Sequence, residues 1–449
     1  MAPLVPTRPP GPALSPRTEP GPAASRARSA RPPDHAWWLT VGLAATASAA
    51  VSAWASMRYG GDPPYFGDQW FYLRLAREWR AGQGLTTSAE ISAGYPLFVA
   101  LVDLARWTSW LRLDLATSVG LVQSALSGAN VALTAVLGRR IADPAIGLAA
   151  AVALAVWPNL LIGAAVVLSE PLATLLGVVV VTLLVWDPHP SARRLLLAGA
   201  VLGIAAEVRP GSLVLLALFL AVPRGGSWRG RLRSVALGGV TALLVVLPFA
   251  LRSSYVTRAF VPLDLRAGSS LCLGRLPEAD GGPINFDRCP YTDGAPAVEA
   301  NRERLEEAWR LLRENPQREP GLMVGRMEAT LWAQDRSGID QVNSWDGRGL
   351  DPEVTDRLVA VSTLWSRIVL VLAVAGTVLA LLRRHRGLII ATSAGWLLLT
   401  IPLISLGDPR FRVPSLPFLA LAAAATVVWG ARHAHRRPVS PFSSRGAGR

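Results

Sequence analysis

The stretch Tyr65–Pro96, YFGDQWFYLRLAREWRAGQGLTTSAEISAGYP, decides how the chain is read, because it follows the first long apolar segment and begins where a bilayer would meet water. Within it Tyr72, Leu75, Ala76 and Trp79 recur at helical spacing and form one apolar face, with Arg74, Arg77, Glu78 and Arg80 on the others. A short helix with aromatics on one side and arginines on another is expected to lie flat in the headgroup layer. Asp68 stands at its start, where a carboxylate caps free backbone N–H groups and complements the helix dipole. Gly82 and Gly84 then stop the helix. Two readings stay open here: a capped interfacial helix, or a loop that presents Asp68 to chemistry.

Outward from this stretch the chain is mostly membrane. Apolar residues make up 51% of it, and several runs of about 20 such residues match the thickness of a bilayer core. The fold class expected is therefore an all-α polytopic membrane protein with external loop helices and a small extracytoplasmic insert. The net charge of +14 would suit a nucleic-acid partner, but the basic residues cluster in short loops between apolar runs. That is the positive-inside pattern, so the partner expected is the lipid bilayer and no nucleic acid. All 45 basic residues are Arg, a bias with no functional content of its own.

Residues 1–34, rich in Pro, Arg, Ala and Ser, read as a disordered cytoplasmic tail. Trp37–Met57 is the first span, an uncleaved anchor. Further spans are expected at Leu115–Leu137, Ile146–Leu168, Pro171–Trp186, Val235–Leu251, Leu358–Leu382, Leu388–Leu406 and Val413–Trp429. Leu195–Val222 is flanked by Arg at both ends, so it is expected to enter the membrane and return. Its arms of about 20 Å are too short to cross a core of about 30 Å, which leaves the tip Glu207–Arg209-Pro210 inside the membrane. Charges at that depth cost roughly 3 kcal/mol or more each unless a polar cavity receives them, so a cavity open to the outside is expected beneath Asp68. About ten crossings with both termini inside make every Arg-rich loop cytoplasmic. Tyr95–Leu111 would break that alternation as a full span and reads as a half-inserted helix. The domain plan is thus a transmembrane module over 35–251 with its catalytic external loop at 58–114, an extracytoplasmic insert over 252–357, C-terminal helices over 358–430 and a basic cytoplasmic tail over 431–449.

The insert carries both cysteines, Cys272 and Cys289, and two nearby thiols in an oxidising compartment are expected to form a disulfide. Further on, Leu305, Trp309 and Leu312 form an apolar stripe whose expected role is core packing rather than ligand contact.

All five histidines, His35, His189, His385, His433 and His435, fall on the inner side or in the tails. The outer face instead holds Asp62, Asp68, Glu170, Glu207 and Asp408, with Arg58, Arg74, Arg209, Arg410 and Arg412. A carboxylate among fixed guanidinium groups suits a reaction in which it takes a proton from an incoming hydroxyl while arginines hold an anionic leaving group. Glycosyl transfer from a lipid-phosphate sugar fits that description. For single residues plainer roles stay open: Glu170 as a helix-start carboxylate, Arg209 as a partner of Glu170 or Glu207, Asp408 as a support for Arg410 or Arg412. A transporter or flippase for a lipid-linked or anionic substrate is the alternative function, although the acidic groups gather at outer span ends rather than at the midplane, where transporters place them.

The motifs Gly67-Asp68…Tyr72…Ala76 and Gly82-Gln83-Gly84, Gly94-Tyr95-Pro96-Leu97, Leu168-Ser169-Glu170-Pro171-Leu172, Val208-Arg209-Pro210 and Asp408-Pro409-Arg410-Phe411-Arg412…Pro414…Pro417 run through most of the chain. In that order they resemble the multi-span GT-C glycosyltransferases, among them the protein O-mannosyltransferases and the lipid A aminoarabinose transferases. The resemblance implies an inverting transferase of the cell membrane and envelope, using a polyprenyl-phosphate sugar donor and a glycan, lipid or protein acceptor on the outer side. It also implies that Asp68 is the base and that Arg410 and Arg412 bind lipid phosphate. Arg58, Arg74, Glu170 and Arg209, charged residues of the outer face, are the further substrate-binding candidates. An extended segment would point Arg410 and Arg412 the same way and Phe411 toward lipid. The chain departs from many such relatives in one place: Gln69 follows Asp68 where a second carboxylate is common. A lone carboxylate is a poor site for a hard divalent cation, so no metal or other cofactor is expected unless Asp62 or Glu170 completes a set.

Overall fold

The computed structural model describes residues 34–61, 67–83, 91–105, 113–222, 227–284, 289–290, 295–343 and 349–435. The expectations for the N-terminal tail, Asp62, Gly84, the end of the Tyr95–Leu111 segment and most of the C-terminal tail fall outside those residues. Among the described residues the regular structure is helical throughout. In chain order the helices are α1 (Asp34–Tyr59), α2 (Asp68–Glu78), α3 (Gly94–Leu104), α4 (Leu115–Ile141), α5 (Pro144–Ala155), α6 (Pro158–Gly163), α7 (Glu170–Val185) and α8 (Ala192–Val208). A 3-10 segment, Pro210–Ala221, leads to α9 (Trp228–Thr257), α10 (Ala267–Leu273), α11 (Ala297–Glu314), α12 (Glu319–Leu331) and α13 (Ser337–Asn343). The chain closes with α14 (Pro352–Leu382), α15 (Arg386–Leu398), α16 (Thr400–Ile404), a 3-10 segment Pro409–Ser415 and α17 (Leu416–His435).

Local chemistry sets these boundaries. Asp114, Asp143, Ser191, Ser227 and Asp351 each accept a backbone N–H of the following first turn, and Pro144, Pro158 and Pro352 open helices where no donor is needed. Pro158 also divides the expected span Ile146–Leu168 into α5 and α6. It forces Trp157 out of helical conformation, with ψ at 108°. The core is built around α17, whose residues Leu416–Ala425 are buried throughout, packed by α4, α5, α14 and α15. On the outside, α9 exposes Val240, Leu243, Leu244 and Leu251, and α14 exposes Val361, Leu364, Val371 and Val374. Apolar stripes on the outside of long helices are what lipid contact requires. Among the described residues six helices are long and apolar enough to cross a membrane, and α3, α5, α7 and Pro210–Ala221 are apolar but shorter. The described residues are accordingly those of an all-helical, multi-pass protein. The 11 residues of α3 reach only about 16 Å, less than a crossing.

Helix α8, the segment Pro210–Ala221 and α9 form a hairpin followed by a return. A Cβ on Gly199 would lie 2.4 Å from Gly238 O and one on Gly203 2.7 Å from Ala242 O, so α8 and α9 touch backbone to backbone and run parallel. Pro210–Ala221 must therefore run the opposite way between them. At one end of the bundle, ion pairs join Arg139 to Asp34 (2.8 Å), Arg432 to Asp143 (3.0 Å) and both Arg140 and Arg194 to Asp187, while Arg386 donates to Ala221 O. The ends of α1, α4, α7, α8, Pro210–Ala221, α15 and α17 meet in that polar rim.

Opposite the rim, α11 and α12 pack around α10, and α13 packs on α6. Helix α9 continues past Arg252 to Thr257 before this segment begins. Cys272 and Cys289 are joined by a disulfide. Replacing either by Ser is expected to cost about 2–4 kcal/mol, read as a lower denaturant midpoint, and an unchanged midpoint would mean that the bridge carries no load. Trp309 is 54% exposed, so the expected stripe is not the packed one: α11 buries Ala300 and Ala308 instead. Arg326, fully buried, donates to Gly274 O and Leu403 O and pairs with Glu319, which also binds Arg275. These arginines tie the segment to α16.

Candidate active site

Asp68 is the first residue of α2 rather than its cap. Gly67 holds the cap position at φ 98°, in a left-handed region that other residues enter only with strain. The helix dipole still favours the carboxylate there, but both of its oxygens go to side chains from distant elements. Arg266 Nη2 donates to Oδ1 at 2.7 Å, and Arg410 Nη2 lies 2.8 Å from Oδ2. Burial opposes ionisation of this carboxyl, but the Arg266 and Arg410 guanidiniums outweigh it and hold the group well below the usual carboxylate range. Tyr72, one turn along α2, is pushed up to about 12 by burial and by the Asp68 charge.

Arg410 also reaches a second carboxylate. Its Nε lies 3.1 Å from Glu170 Oε1, and Arg209 Nη1 donates to the same oxygen at 2.7 Å. Glu170 opens α7 beside Pro171, Arg209 forms the tip of the hairpin, and Asp408 accepts the Arg410 backbone N–H at 2.7 Å, fixing the start of the 3-10 segment. Residues from five separate stretches thus form one cluster: Asp68, Glu170, Arg209, Arg266 and Arg410. Among these five side chains three guanidiniums face two carboxylates, and Asp264 and Asp408 stand beside Arg266 and Arg410. A cavity of ≈ 320 Å³ borders the cluster, lined by Arg209, Arg266, Asp264 and Phe411 among others. A second cavity of ≈ 70 Å³ touches its other side at Glu170 and Arg410. Burial raises Asp264 above the ordinary carboxylate range, against its bonds to Arg266 N and to the Ser92 hydroxyl.

The cluster brings together Asp68, Glu170, Arg209 and Arg410 and leaves out the other expected residues. Arg412 is the clearest departure. It is fully buried, donates to Thr330 O and Leu331 O at 2.9 Å, and pairs with Asp335 at 2.8 Å. The expectation assumed an extended strand, whereas Pro409–Ser415 is a 3-10 helix in which alternate residues diverge. For the same reason Phe411 faces the site, 5.2 Å from the Arg209 guanidinium. Arg58 is exposed and stacks on Tyr59, while Arg74 stacks on Trp70 and pairs with Glu78. Glu207 is buried at the hairpin tip against Ala93 and Gly94 rather than in the cluster. Gln69 is held too: its amide donates to Gln341 and accepts the Val167 N–H.

Arg266 is the residue that sequence reasoning missed. It lies 198 positions from Asp68 in an Arg-containing loop, and nothing local distinguishes it from its neighbours. Asp335 was missed as well. It is 1% exposed and receives Trp157 Nε1, Asn159 Nδ2 and the Ser362 hydroxyl, making it the anchor of Arg412.

No family model and no curated protein matches the chain. Among solved structures it is similar to the oligosaccharyltransferase AglB of Archaeoglobus fulgidus in complex with an inhibitory peptide and a dolichol-phosphate, at 12% identity and a TM-score of 0.46, over 90% of this chain and 52% of that one. It is also similar to ArnT from Cupriavidus metallidurans bound to undecaprenyl phosphate, at 16% identity and a TM-score of 0.40, over 89% of this chain and 79% of that one. Both are GT-C superfamily members. The chain spans about half the length of the archaeal oligosaccharyltransferase.

Proposed function

We propose that the protein is an inverting glycosyltransferase that moves a sugar from a polyprenyl-phosphate donor to an acceptor on the outer side of the membrane. The observation that carries this reading is Arg410, one guanidinium held between Asp68 and Glu170 beside two further arginines and a cavity. As found, Asp68 is a weak base, because two cations stabilise its charge. A phosphate entering at Arg209 and Arg266 competes for those guanidiniums and places negative charge nearby, and both effects raise the basicity of Asp68. Donor binding thereby prepares the base. Asp68 then takes the acceptor hydroxyl proton as the acceptor oxygen attacks the anomeric carbon from the face opposite the phosphate. The bond from that carbon to the phosphate oxygen breaks, its electron pair stays on the lipid phosphate, and the arginines meet the gained charge. In this reading the positive charge comes from guanidiniums, and no metal is needed.

Arg410→Lys is expected to lower turnover by about tenfold, since one ammonium has no planar fork to meet two carboxylates at once, and Arg410→Ala further still. Steady-state kinetics with a synthetic polyprenyl-phosphate sugar reads this, and full activity of the Lys variant would reduce Arg410 to a generic cation.

The reading places the cluster outside and the polar rim in the cytoplasm, with about ten crossings and an outward-facing segment around Cys272–Cys289. The rim supports it, because helix ends expected inside by their Arg content meet there. Cysteines introduced at Arg139, Arg193, Arg229 and Arg384 are expected to resist labelling from outside intact cells. A deletion strain is expected to lose a glycan and accumulate a lipid-linked sugar; unchanged lipid-linked sugars would count against transfer and leave the transporter reading.

A further inference from the structure

Helix α12 presents more than one face. Its inner face buries Leu322, Arg326 and Thr330 against α10, α16 and the 3-10 segment that carries Arg410. Beside that face Met323, Val324 and Met327 are exposed, Val324 to 63%. At about 3.6 residues per turn these three fall on one arc, and the exposed Glu328 borders it on the side away from the buried face. The helix is thus divided into a sector for protein, a sector that is apolar and uncovered, and a polar edge.

Two contacts fix its height. Trp332, one residue past its end, accepts from Arg367 of α14 at 2.9 Å through its carbonyl, and its ring lies 5.2 Å from the same guanidinium. Arg367 stands about 23 Å along α14 from Leu382, at about 1.5 Å per residue. In the middle of α12, Arg326 donates to Leu403 O at 3.0 Å, about 26 Å along α15 and α16 from Arg386. Leu382 and Arg386 flank the turn from α14 to α15 at the polar rim, so both contacts lie at nearly one height. Helix tilt only shortens these distances, and a hydrocarbon core is about 30 Å thick. Helix α12 therefore lies flat, at or within the core boundary opposite the rim. The outward stripe of α14, with Leu364 and Val371, passes the same point, and Trp332 is the kind of residue that collects at such a boundary.

We infer that α12 is a membrane-surface helix whose Met323, Val324 and Met327 are seated among the lipid acyl chains of the leaflet opposite the polar rim. A helix at that level sinks its apolar face about 5–10 Å into the boundary, and the Glu328 edge is left for water. The inference rests on the membrane reading and not on the transferase reading. It makes part of the segment between α9 and α14 a lipid contact and not a water-exposed domain. Thr330 O and Leu331 O hold Arg412, two residues from Arg410, so the bilayer also backs the turn that carries the central arginine of the cluster.

The test uses the full-length protein in lipid nanodiscs, with single cysteines replacing Val324, Met327, Val371 or Arg302 and labelled with an NBD maleimide. The native cysteines are bridged and do not react. Val371 on α14 is the lipid control, and Arg302, exposed on the charged helix α11, is the water control. All four side chains are exposed, so none of the substitutions opens a core. With a phospholipid spin-labelled near the head of its acyl chain, the probes at Val324 and Met327 are expected to lose most of their fluorescence, as at Val371, and to resist iodide. The probe at Arg302 is expected to do the reverse. Iodide quenching at Val324 and Met327 equal to that at Arg302 would put the stripe in water and overturn the inference. Protection from both quenchers would mean that a second copy or another protein covers the stripe, and would overturn it equally.

Discussion

Asp68→Asn is expected to lower transfer by a factor of about 10² or more while leaving lipid-phosphate affinity unchanged or tighter. The amide keeps the size of the side chain and its place at the start of α2, but it does not take the acceptor proton. It also removes one of two negative charges from a cluster that faces three guanidiniums, so an anionic donor meets a stronger field. A purely structural carboxylate would instead leave turnover unchanged, so turnover is the readout that separates the two roles. The pH dependence of stability follows from the same contacts. Arg266 and Arg410 hold the folded carboxyl well below its unfolded value of about 4, so its contribution is present above that pH and is lost as pH falls through the lowered folded value. The stability gap between wild type and Asp68→Asn is therefore expected at neutral pH and should close only in strong acid. Kinetics and denaturant unfolding of the one variant read both claims, and near wild-type turnover would return Asp68 to a structural carboxylate.

Arg412→Ala is expected to cost about 3–5 kcal/mol of stability, the usual effect of removing one partner of a fully buried ion pair. Asp335 keeps the donors Trp157, Asn159 and Ser362 but loses its counter-charge, and the carbonyls of Thr330 and Leu331 lose their donor. Lys is not expected to rescue, because one ammonium does not replace a planar fork that meets two carbonyls and a carboxylate. The pair fixes the 3-10 turn two residues from Arg410, so turnover falls through Arg410 and not through lost phosphate contact. A double-mutant cycle with Asp335→Asn should show strong coupling in the unfolding free energy. Wild-type stability together with weakened lipid-phosphate binding in Arg412→Ala would restore Arg412 to the phosphate site.

The sequence made the participants legible where a motif forces geometry. Asp68, Glu170, Arg209 and Arg410 were each marked by a turn or helix start beside an apolar run, and the hairpin with its tip at Arg209-Pro210 followed from the arginines at both ends of Leu195–Val222. Arg412 failed because an alternation rule was applied to a segment that Pro409 and Pro414 wind into a 3-10 helix. Arg266 and Asp335 were out of reach for a different reason: ion pairing across some 200 or 80 positions leaves no local pattern. The expected span Ile146–Leu168 hid its break in plain view, since Pro158 was there to be read. Trp309 shows the limit of apolar spacing near a membrane, where an exposed aromatic is not necessarily a core one.

The most direct measurement is native mass spectrometry of the purified protein offered polyprenyl phosphate and the uncharged polyprenol of equal length. Wild type is expected to retain one polyprenyl phosphate and not the alcohol. Arg209→Ala, Arg266→Ala and Arg410→Ala are each expected to weaken retention, while Asp68→Asn is not. Equal retention of phosphate and alcohol, or phosphate binding indifferent to all three arginines of the cluster, would contradict a phosphate site at the cluster.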